Sequence, residues 1–281
     1  MSGFAQSASG YRVGFGAVEG RVIPAGTAPS AAAGTINSRV GARYSDFKLF
    51  GYWRSSCSWR VRIALALKGV AYEYVPVDLS QLVGNTNKTL PVDFLRLNPM
   101  GQVPLLQFID SHDGSVKYLT QSLPIVEFID EVFPACGPRL LPTDPLLRAR
   151  VRQIAEIVNS GVQPIHNIRN LRQIKSAVLI AAEEEVTVDA AGFAKDGIAT
   201  GMASLEALVC SLRRGKASAF AAGSAEPTLA DLCIPPLLYS AKRFGVDTLP
   251  FASLGEVDAL CAGMAAFAAA APERQIDAPR A

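Results

Sequence analysis

The pattern of hydrophobic and polar positions changes along the chain, and the first patterned region covers residues 47–133. Short apolar and polar stretches alternate there, with turn residues between them, which is typical of strands and helices in succession. We predict the order β-α-β-α-β-β-α at residues 47–52, 58–67, 72–77, 91–97, 103–109, 115–119 and 122–133. A polar loop is predicted at residues 80–89 and a hairpin turn at Asp113-Gly114. This order favours a small mixed sheet with helices on both faces.

The second patterned region follows residue 142 and has helical spacing. Asp144 and Pro145 are typical of an N-cap and a first helical position, and an apolar face follows at 147, 151, 154 and 158. Residues 194–212 repeat the pattern, and Thr228 with Asp231 resembles a capping box before a helix that ends at Phe244. A last helix is predicted over 255–271. This half is therefore predicted to be all-helical.

Residues 1–44 have neither pattern. They are rich in Gly, Ala and Ser, and they contain four arginines but one acidic residue. We interpret them as an N-terminal extension: a disordered tail, the product of a wrongly chosen start codon, or an organellar targeting segment on an otherwise cytoplasmic protein. The prolines of residues 134–144 indicate a link between a domain at 45–136 and a second at 144–281.

Composition and charge exclude several classes of protein. The 281 residues are 49% hydrophobic and carry a net charge of +2, without the basic excess of a nucleic-acid-binding protein. No apolar run reaches the ~18–20 residues of a membrane span. The five cysteines form no C-x-x-C pair, and no Cys/His cluster has the spacing of a zinc site. We therefore expect neither a metal nor a disulfide framework.

The segment between the first predicted strand and helix carries the candidate chemistry. Ser55, Ser56 and Cys57 stand where the free N–H groups and the positive end of a helix dipole favour an anion. Positive helix ends also lower the pKa of a thiol. The segment is therefore suited to holding an ionised sulfur, either that of Cys57 or that of a bound cofactor. The alternative is that the two serines only cap the helix.

Two further segments point to a ligand with peptide-like and anionic parts. Gln102 precedes Val103-Pro104 at the start of a strand, where a proline, in cis or trans, leaves backbone groups exposed. Gln121 and Ser122 precede the next helix, whose N-terminus suits a carboxylate. Together with the sulfur site, these segments match a small anionic peptide that bears a thiol, and glutathione is such a peptide.

The sequence resembles the zeta-class glutathione transferases over about residues 46–280. The motifs that carry the resemblance are S-S-C-S-W-R-V-R at 55–62, L-N-P-M-G-Q-V-P at 97–104, Q-S-L at 121–123, G-V-Q-P at 161–164, A-D-L at 230–232 and Q-I-D-A-P at 275–279. The resemblance implies a thioredoxin-like α/β domain followed by an all-α domain, assembled as a homodimer.

The resemblance also implies roles for individual residues. Ser55 would hydrogen-bond the glutathione sulfur, with Ser56 and Cys57 beside it as further catalytic residues. Glutathione itself would be held by the residues at 102–104, 121–122 and 163, which are Gln102, Val103, Pro104, Gln121, Ser122 and Gln163. Arg243, and with it Arg54, would hold a carboxylate of the substrate.

The activity that the resemblance implies is the glutathione-dependent cis–trans isomerisation of maleylacetoacetate, a dicarboxylate, to fumarylacetoacetate in tyrosine and phenylalanine breakdown. Three alternatives stay open: transfer of glutathione to α-halo acids or other electrophiles, thiol oxidoreduction by Cys57, and a non-enzymatic binding scaffold. Arg60 stands where a dithiol motif would need its second cysteine.

Several residues receive structural interpretations instead. Trp59 is expected in the core or at the domain interface, and His112 in a solvated hairpin turn. His166 is expected to be structural. The remaining cysteines, Cys136, Cys210, Cys233 and Cys261, are expected to serve as small apolar residues.

Overall fold

The computed structural model describes residues 21–23, 43–77, 79, 92–181, 187–216 and 219–279. The predicted loop at 80–89 and most of the extension at 1–44 lie outside the described residues. The described helices are α1 Ser56–Leu67, α2 Val92–Leu97, α3 Ser122–Val132, α4 Pro145–Glu156, α5 Ile168–Ala181, α6 Ala190–Arg213, α7 Ile234–Arg243, α8 Ala252–Ala262 and α9 Ala265–Ala269.

The described strands form one mixed sheet. They are β1 Arg21–Ile23, β2 Tyr44–Gly51, β3 Tyr72–Pro76, β4 Leu105–Asp110 and β5 Ser115–Thr120. Their order across the sheet is β1-β3-β2-β4-β5. β2 and β3 are parallel and are joined through α1, because parallel neighbours require a crossover, and the other neighbouring pairs are antiparallel. The predicted mixed sheet is confirmed.

The two faces of the sheet bury different sets of side chains, because successive strand residues point to opposite sides. Leu49 and Leu106 join the large core beneath α1 and α3. Their sequence neighbours Phe50 and Leu105 pack with Phe94 of α2 in a smaller cluster on the other face. Helices therefore cover both faces, as predicted.

The helical half packs directly on α1, which contacts both α7 and α9. Trp59 of α1 lies edge-on to Tyr239 of α7, with ring centroids 5.7 Å apart, so its predicted place at the interface is confirmed. Most of the apolar face predicted for α6 is fully buried, and Ile198, Met202, Leu205 and Val209 belong to the same continuous core as α1. Leu212, at the end of that face, is only partly buried. The boundaries at 45–136 and 144–281 stay predictions.

The described part of the extension corrects one expectation. Residues 1–44 are predicted without a strand, but Arg21–Ile23 forms β1 and pairs antiparallel with β3, with Ile23 opposite Tyr72. Three residues are too few to produce a period along the sequence. The open edge of β3 supplies the pairing instead.

The structure of the helical half corrects three more expectations from the sequence. The helix predicted over 255–271 is broken after α8, where Gly263 is followed by Met264 with extended backbone angles, because glycine is a poor helix former. The helix predicted from Thr228 begins as a turn and a short 3-10 segment, and the α-helix starts only at Ile234. No helix was predicted at α5, although its residues 168, 171, 174 and 178 are apolar at helical spacing. Its described side chains are all at least partly exposed.

Candidate functional site

The start of α1 is built around Ser55. This residue is the N-cap, and its Oγ accepts a hydrogen bond from the Ser58 N–H at 3.2 Å. The capping role is therefore confirmed. Capping does not prevent a catalytic role, because a hydroxyl that accepts one hydrogen bond can still donate its own proton in another.

The two following residues point to different surroundings. Ser56 is buried, and its Oγ lies 3.3 Å from the Oγ of Ser240 in α7. Cys57 is partly exposed in the first turn of α1 and lines a narrow cleft. Of the three predicted catalytic residues, Cys57 thus faces the cleft and Ser56 faces the helical half.

The narrow cleft brings together the glutathione-binding residues predicted from the sheet half. Its wall consists of Cys57, Asn98, Gln102, Val103, Pro104, Gln121 and Ser122. The Val103–Pro104 peptide bond is cis. Asn98 is an addition that sequence reasoning missed: its side-chain amide donates to the Gln102 carbonyl and so holds this part of the wall.

The start of α3 supplies another part of the cleft wall. Gln121 precedes the helix with φ of 71°, in the left-handed region that few residues other than glycine adopt. Such backbone conformations are concentrated at ligand and active sites. Because Cys57 lies in the first turn of α1 and Ser122 in that of α3, two helix N-termini meet at this cleft, which therefore favours an anionic ligand.

Arg60 is a second residue that sequence reasoning missed. It is fully buried in α1, and its guanidinium donates to Ser122 Oγ at 3.3 Å, to Asn159 Oδ1 at 3.0 Å and to Gln163 Oε1 at 3.3 Å. Gln163 is not among the described residues of the cleft wall, but Arg60 connects it to Ser122, which does line the cleft. Two arginines inside an otherwise apolar stretch of α1, Arg60 and Arg62, were the signal in the sequence.

The loop before Ser55 is held from the opposite side by Arg62 and Asp277. The buried Arg62 guanidinium donates to the carbonyl oxygens of Trp53 at 2.9 Å, Tyr52 at 3.4 Å and Ala270 at 3.1 Å. Asp277 Oδ2 accepts from the Trp53 N–H at 2.9 Å, and burial raises the pKa of this carboxyl. The C-terminal segment therefore positions the backbone that carries Arg54.

A larger cavity of about 380 Å³ is bordered by Arg54 of this loop. Its wall consists of Arg54, Ile168, Leu171, Arg172, Lys175, Ala190, Arg243 and Phe244. Both arginines predicted to bind substrate thus line one cavity. Burial lowers the pKa of Arg243, and the positive charge of Arg54 acts in the same direction. A bound anion would relieve this repulsion.

We expect acid to destabilise the fold through His166. The ring is buried beside Phe244, burial lowers the pKa of His166 to about 4, and the charge of Arg243 contributes. In the unfolded chain the imidazole has its ordinary pKa of about 6.5. The unfolded state therefore binds more protons between these values, so stability falls as the pH falls through this window, by about 3 kcal/mol from this group. Urea denaturation across the window measures the loss.

The matched control is His112, which is exposed in the hairpin turn, as predicted. His166→Gln should flatten the dependence of unfolding free energy on pH in this window, and His112→Gln should leave it unchanged. An equal effect of both substitutions would contradict the assignment to His166.

The remaining cysteines agree with the sequence, with one exception. Cys136, Cys233 and Cys261 are buried, as expected, but Cys210 is exposed on α6. Within the described ranges, no group of His, Cys, Asp and Glu is placed to hold a metal ion. In the same ranges, none of the helices is both long and apolar enough to cross a membrane.

Comparison with known proteins agrees with this geometry. The family described as "Glutathione S-transferase, N-terminal domain" matches residues 54–132. Maleylacetoacetate isomerase of Rattus norvegicus is 38% identical over 231 residues, covering 82% of this chain and 94% of the relative. The crystal structure of maleylacetoacetate isomerase from Anaeromyxobacter dehalogenans 2CP-1, with glutathione bound in the active site, is 42% identical with a TM-score of 0.69, covering 84% of this chain and 99% of that one.

Two more structures extend the comparison. The Anaeromyxobacter enzyme has also been solved with dicarboxyethyl glutathione and citrate in its active site. A bacterial maleylpyruvate isomerase of the zeta class is 36% identical with a TM-score of 0.69, covering 83% of this chain and all of that one.

The sheet domain with its helical partner is thus the fold of a glutathione transferase. Within that class, the chain belongs to the zeta family, which includes the maleylacetoacetate isomerases.

Proposed function

We propose that the protein catalyses the glutathione-dependent cis–trans isomerisation of maleylacetoacetate to fumarylacetoacetate. The observation that carries the proposal is a pair of sites that share the segment 54–57, one lined by Arg54 and the other by Cys57. The narrow cleft at Cys57 suits glutathione, and the cavity that Arg54 and Arg243 share suits a dicarboxylate. The Anaeromyxobacter relative supports both assignments, since its active site holds glutathione in one structure and a dicarboxyethyl derivative of glutathione in another.

We assign two parts of glutathione to residues that form the cleft. Its γ-glutamyl carboxylate would lie at the start of α3, against the backbone of Gln121 and the hydroxyl of Ser122. Arg60 donates to that hydroxyl from behind, and so holds it in place. Val103, which directly precedes β4, would pair its backbone with the cysteinyl part.

The reaction requires an ionised sulfur, a site for the dicarboxylate and stabilisation of charge on the substrate. Bound glutathione supplies a thiolate that adds to the cis double bond, makes it a rotatable single bond, and leaves again to restore a trans bond. Ser55 would donate its hydroxyl proton in a hydrogen bond to the sulfur, and the N-terminus of α1 would favour the negative charge. The backbone N–H groups near Ser56 and Cys57 are our candidates for stabilising charge on the substrate carbonyl.

We expect the substitution Arg243→Gln to weaken substrate binding. Loss of one charge-assisted contact to a carboxylate should raise KM for maleylacetoacetate about 10- to 100-fold. KM for glutathione should stay unchanged, because Arg243 lines the other cavity. Steady-state kinetics on the full-length protein, with each substrate varied in turn, measure both constants.

Lys242→Gln is the matched control, because Lys242 is an exposed cation next to Arg243 on α7 that does not line the cavity among the described residues. A similar rise in KM for both variants would argue against a specific contact. If the wild-type protein bound glutathione but did not isomerise maleylacetoacetate, release of halide from α-halo acids would be the next activity to measure.

The proposal extends to the state of the protein in the cell. We infer a homodimer and a cytoplasmic location from the family, with organellar targeting by residues 1–44 as the alternative. Because β1 lies within those residues and pairs with β3, the structure favours retention of at least this strand. Sedimentation of the purified protein tests the dimer, and N-terminal sequencing of the mature protein tests retention.

A further inference from the structure

The larger cavity carries more positive charge than the sequence predicted. Besides Arg54 and Arg243, its wall includes Arg172 and Lys175 of α5, a helix that the sequence analysis did not predict. These two residues are three positions apart and therefore lie on one face of the helix. Among the described residues, no acidic side chain lines the cavity.

The four cations come from different parts of the fold. Arg54 precedes α1 and Arg243 ends α7, and the charge of Arg54 is the one that acts most strongly on Arg243. These two therefore form one group, beside the signature segment at 55–57. Arg172 and Lys175 are exposed on α5 and form a second group.

The rest of the wall is largely apolar. Ile168 and Leu171 lie on the same face of α5 as the second pair of cations, and Phe244 directly follows Arg243. The Arg243 guanidinium lies 4.8 Å from the centre of the Phe244 ring. A ligand that matches this wall has carboxylates at its ends and a less polar chain between them.

We propose that Arg172 and Lys175 form a second carboxylate subsite, which selects diacids over monoacids. The inference rests on the proposed function and deepens it. Arg54 and Arg243 hold the carboxylate next to the reacting double bond, beside the glutathione cleft. The α5 pair holds the carboxylate at the far end of the substrate chain.

The test compares two substrates that differ only at that far end. Maleylacetoacetate is a β-keto acid, and loss of its β-keto carboxyl group yields maleylacetone, a monoacid with the same cis double bond. In the full-length protein with saturating glutathione, Lys175→Gln should raise KM for the diacid about fivefold, the size expected of one exposed ion pair. KM for maleylacetone and kcat for both substrates should stay unchanged.

Lys195→Gln is the matched control, since Lys195 is an exposed cation on α6, the helix that packs against α5. It should change neither KM. Equal rises in KM for diacid and monoacid would overturn the subsite, because the α5 cations would then act on a carboxylate common to both substrates or through general attraction. If KM rose for neither acid, the subsite would be overturned as well.

A binding measurement separates this inference from the proposed function. If the wild-type protein isomerised neither acid, the proposed function would fail, and calorimetric titration with glutarate and butyrate in the presence of glutathione would decide the subsite. Tighter binding of glutarate that is lost in Lys175→Gln would support it. Equal binding of the two acids to the wild-type protein would overturn it.

Discussion

Replacing Ser55 by alanine is expected to remove most of the isomerase activity while the protein stays folded. The hydroxyl is our candidate donor to the glutathione sulfur, and removal of one preorganised donor of this kind typically costs about 10²–10³-fold in rate. The same substitution removes the N-cap of α1, which should cost about 1 kcal/mol of stability. The measurements are kcat/KM for maleylacetoacetate, the ultraviolet absorbance of bound thiolate, and the unfolding free energy.

Two comparison variants separate the chemical role of Ser55 from its capping role. Ser55→Thr keeps both the cap and the hydroxyl, and should retain most of the activity and the thiolate absorbance. Cys57→Ala leaves Ser55 in place, so its effect should be much smaller than that of Ser55→Ala. Loss of isomerisation in Cys57→Ala alone would contradict the assignment and would favour the cysteine as the reactive group.

Replacing Asp231 by alanine is expected to cause a large loss of stability. Its carboxylate is fully buried and accepts from the Ala221 N–H at 2.7 Å, the Thr228 N–H at 2.7 Å and the Thr228 hydroxyl at 2.8 Å. The substitution leaves two buried N–H groups without an acceptor, at a cost of about 4 kcal/mol in unfolding free energy. Chemical denaturation should be measured above the pKa of Asp231, which burial raises to about 6, so that the carboxylate is ionised.

Asp144 offers a control with the same chemistry at the surface. It is the exposed N-cap of α4 and accepts from the Leu147 N–H at 2.7 Å. Asp144→Ala should cost about 1 kcal/mol, because water can solvate the N–H group that loses its acceptor. Equal losses from the two substitutions would show that burial does not set the cost at Asp231.

The elements with a strong local signal were predicted correctly. The Asp144-Pro145 start of α4 and the apolar face of α6 follow from spacing and capping alone, since each depends on neighbouring residues. β1 was missed because it is three residues long and depends on the edge of β3. α5 was missed although residues 168, 171, 174 and 178 are apolar at helical spacing, and none of its described side chains is buried.

The candidate site also contains parts that the sequence predicted and parts that it did not. The signature at 55–57, the strand start at 102–104 and the helix start at 121–122 were found along the chain, because each is a short motif at the end of one element. The contacts of Arg60 with Asn159 and Gln163 were not found in the sequence, because they join residues that are 99 and 103 positions apart. Asp277 and Trp53 are 224 positions apart in the sequence, so their hydrogen bond could not be predicted from it either.

By itself, the sequence determined the order of most elements, the helix start that favours an anionic sulfur, and the family to which the chain belongs. These properties depend on residues close together in the chain, where spacing and residue type are sufficient. The tertiary structure alone decided that Arg54 and Arg243 share a cavity with two cations of α5, and that Arg60 supports Ser122 from behind. Such arrangements depend on how separate helices pack against one another, and no local pattern records that packing.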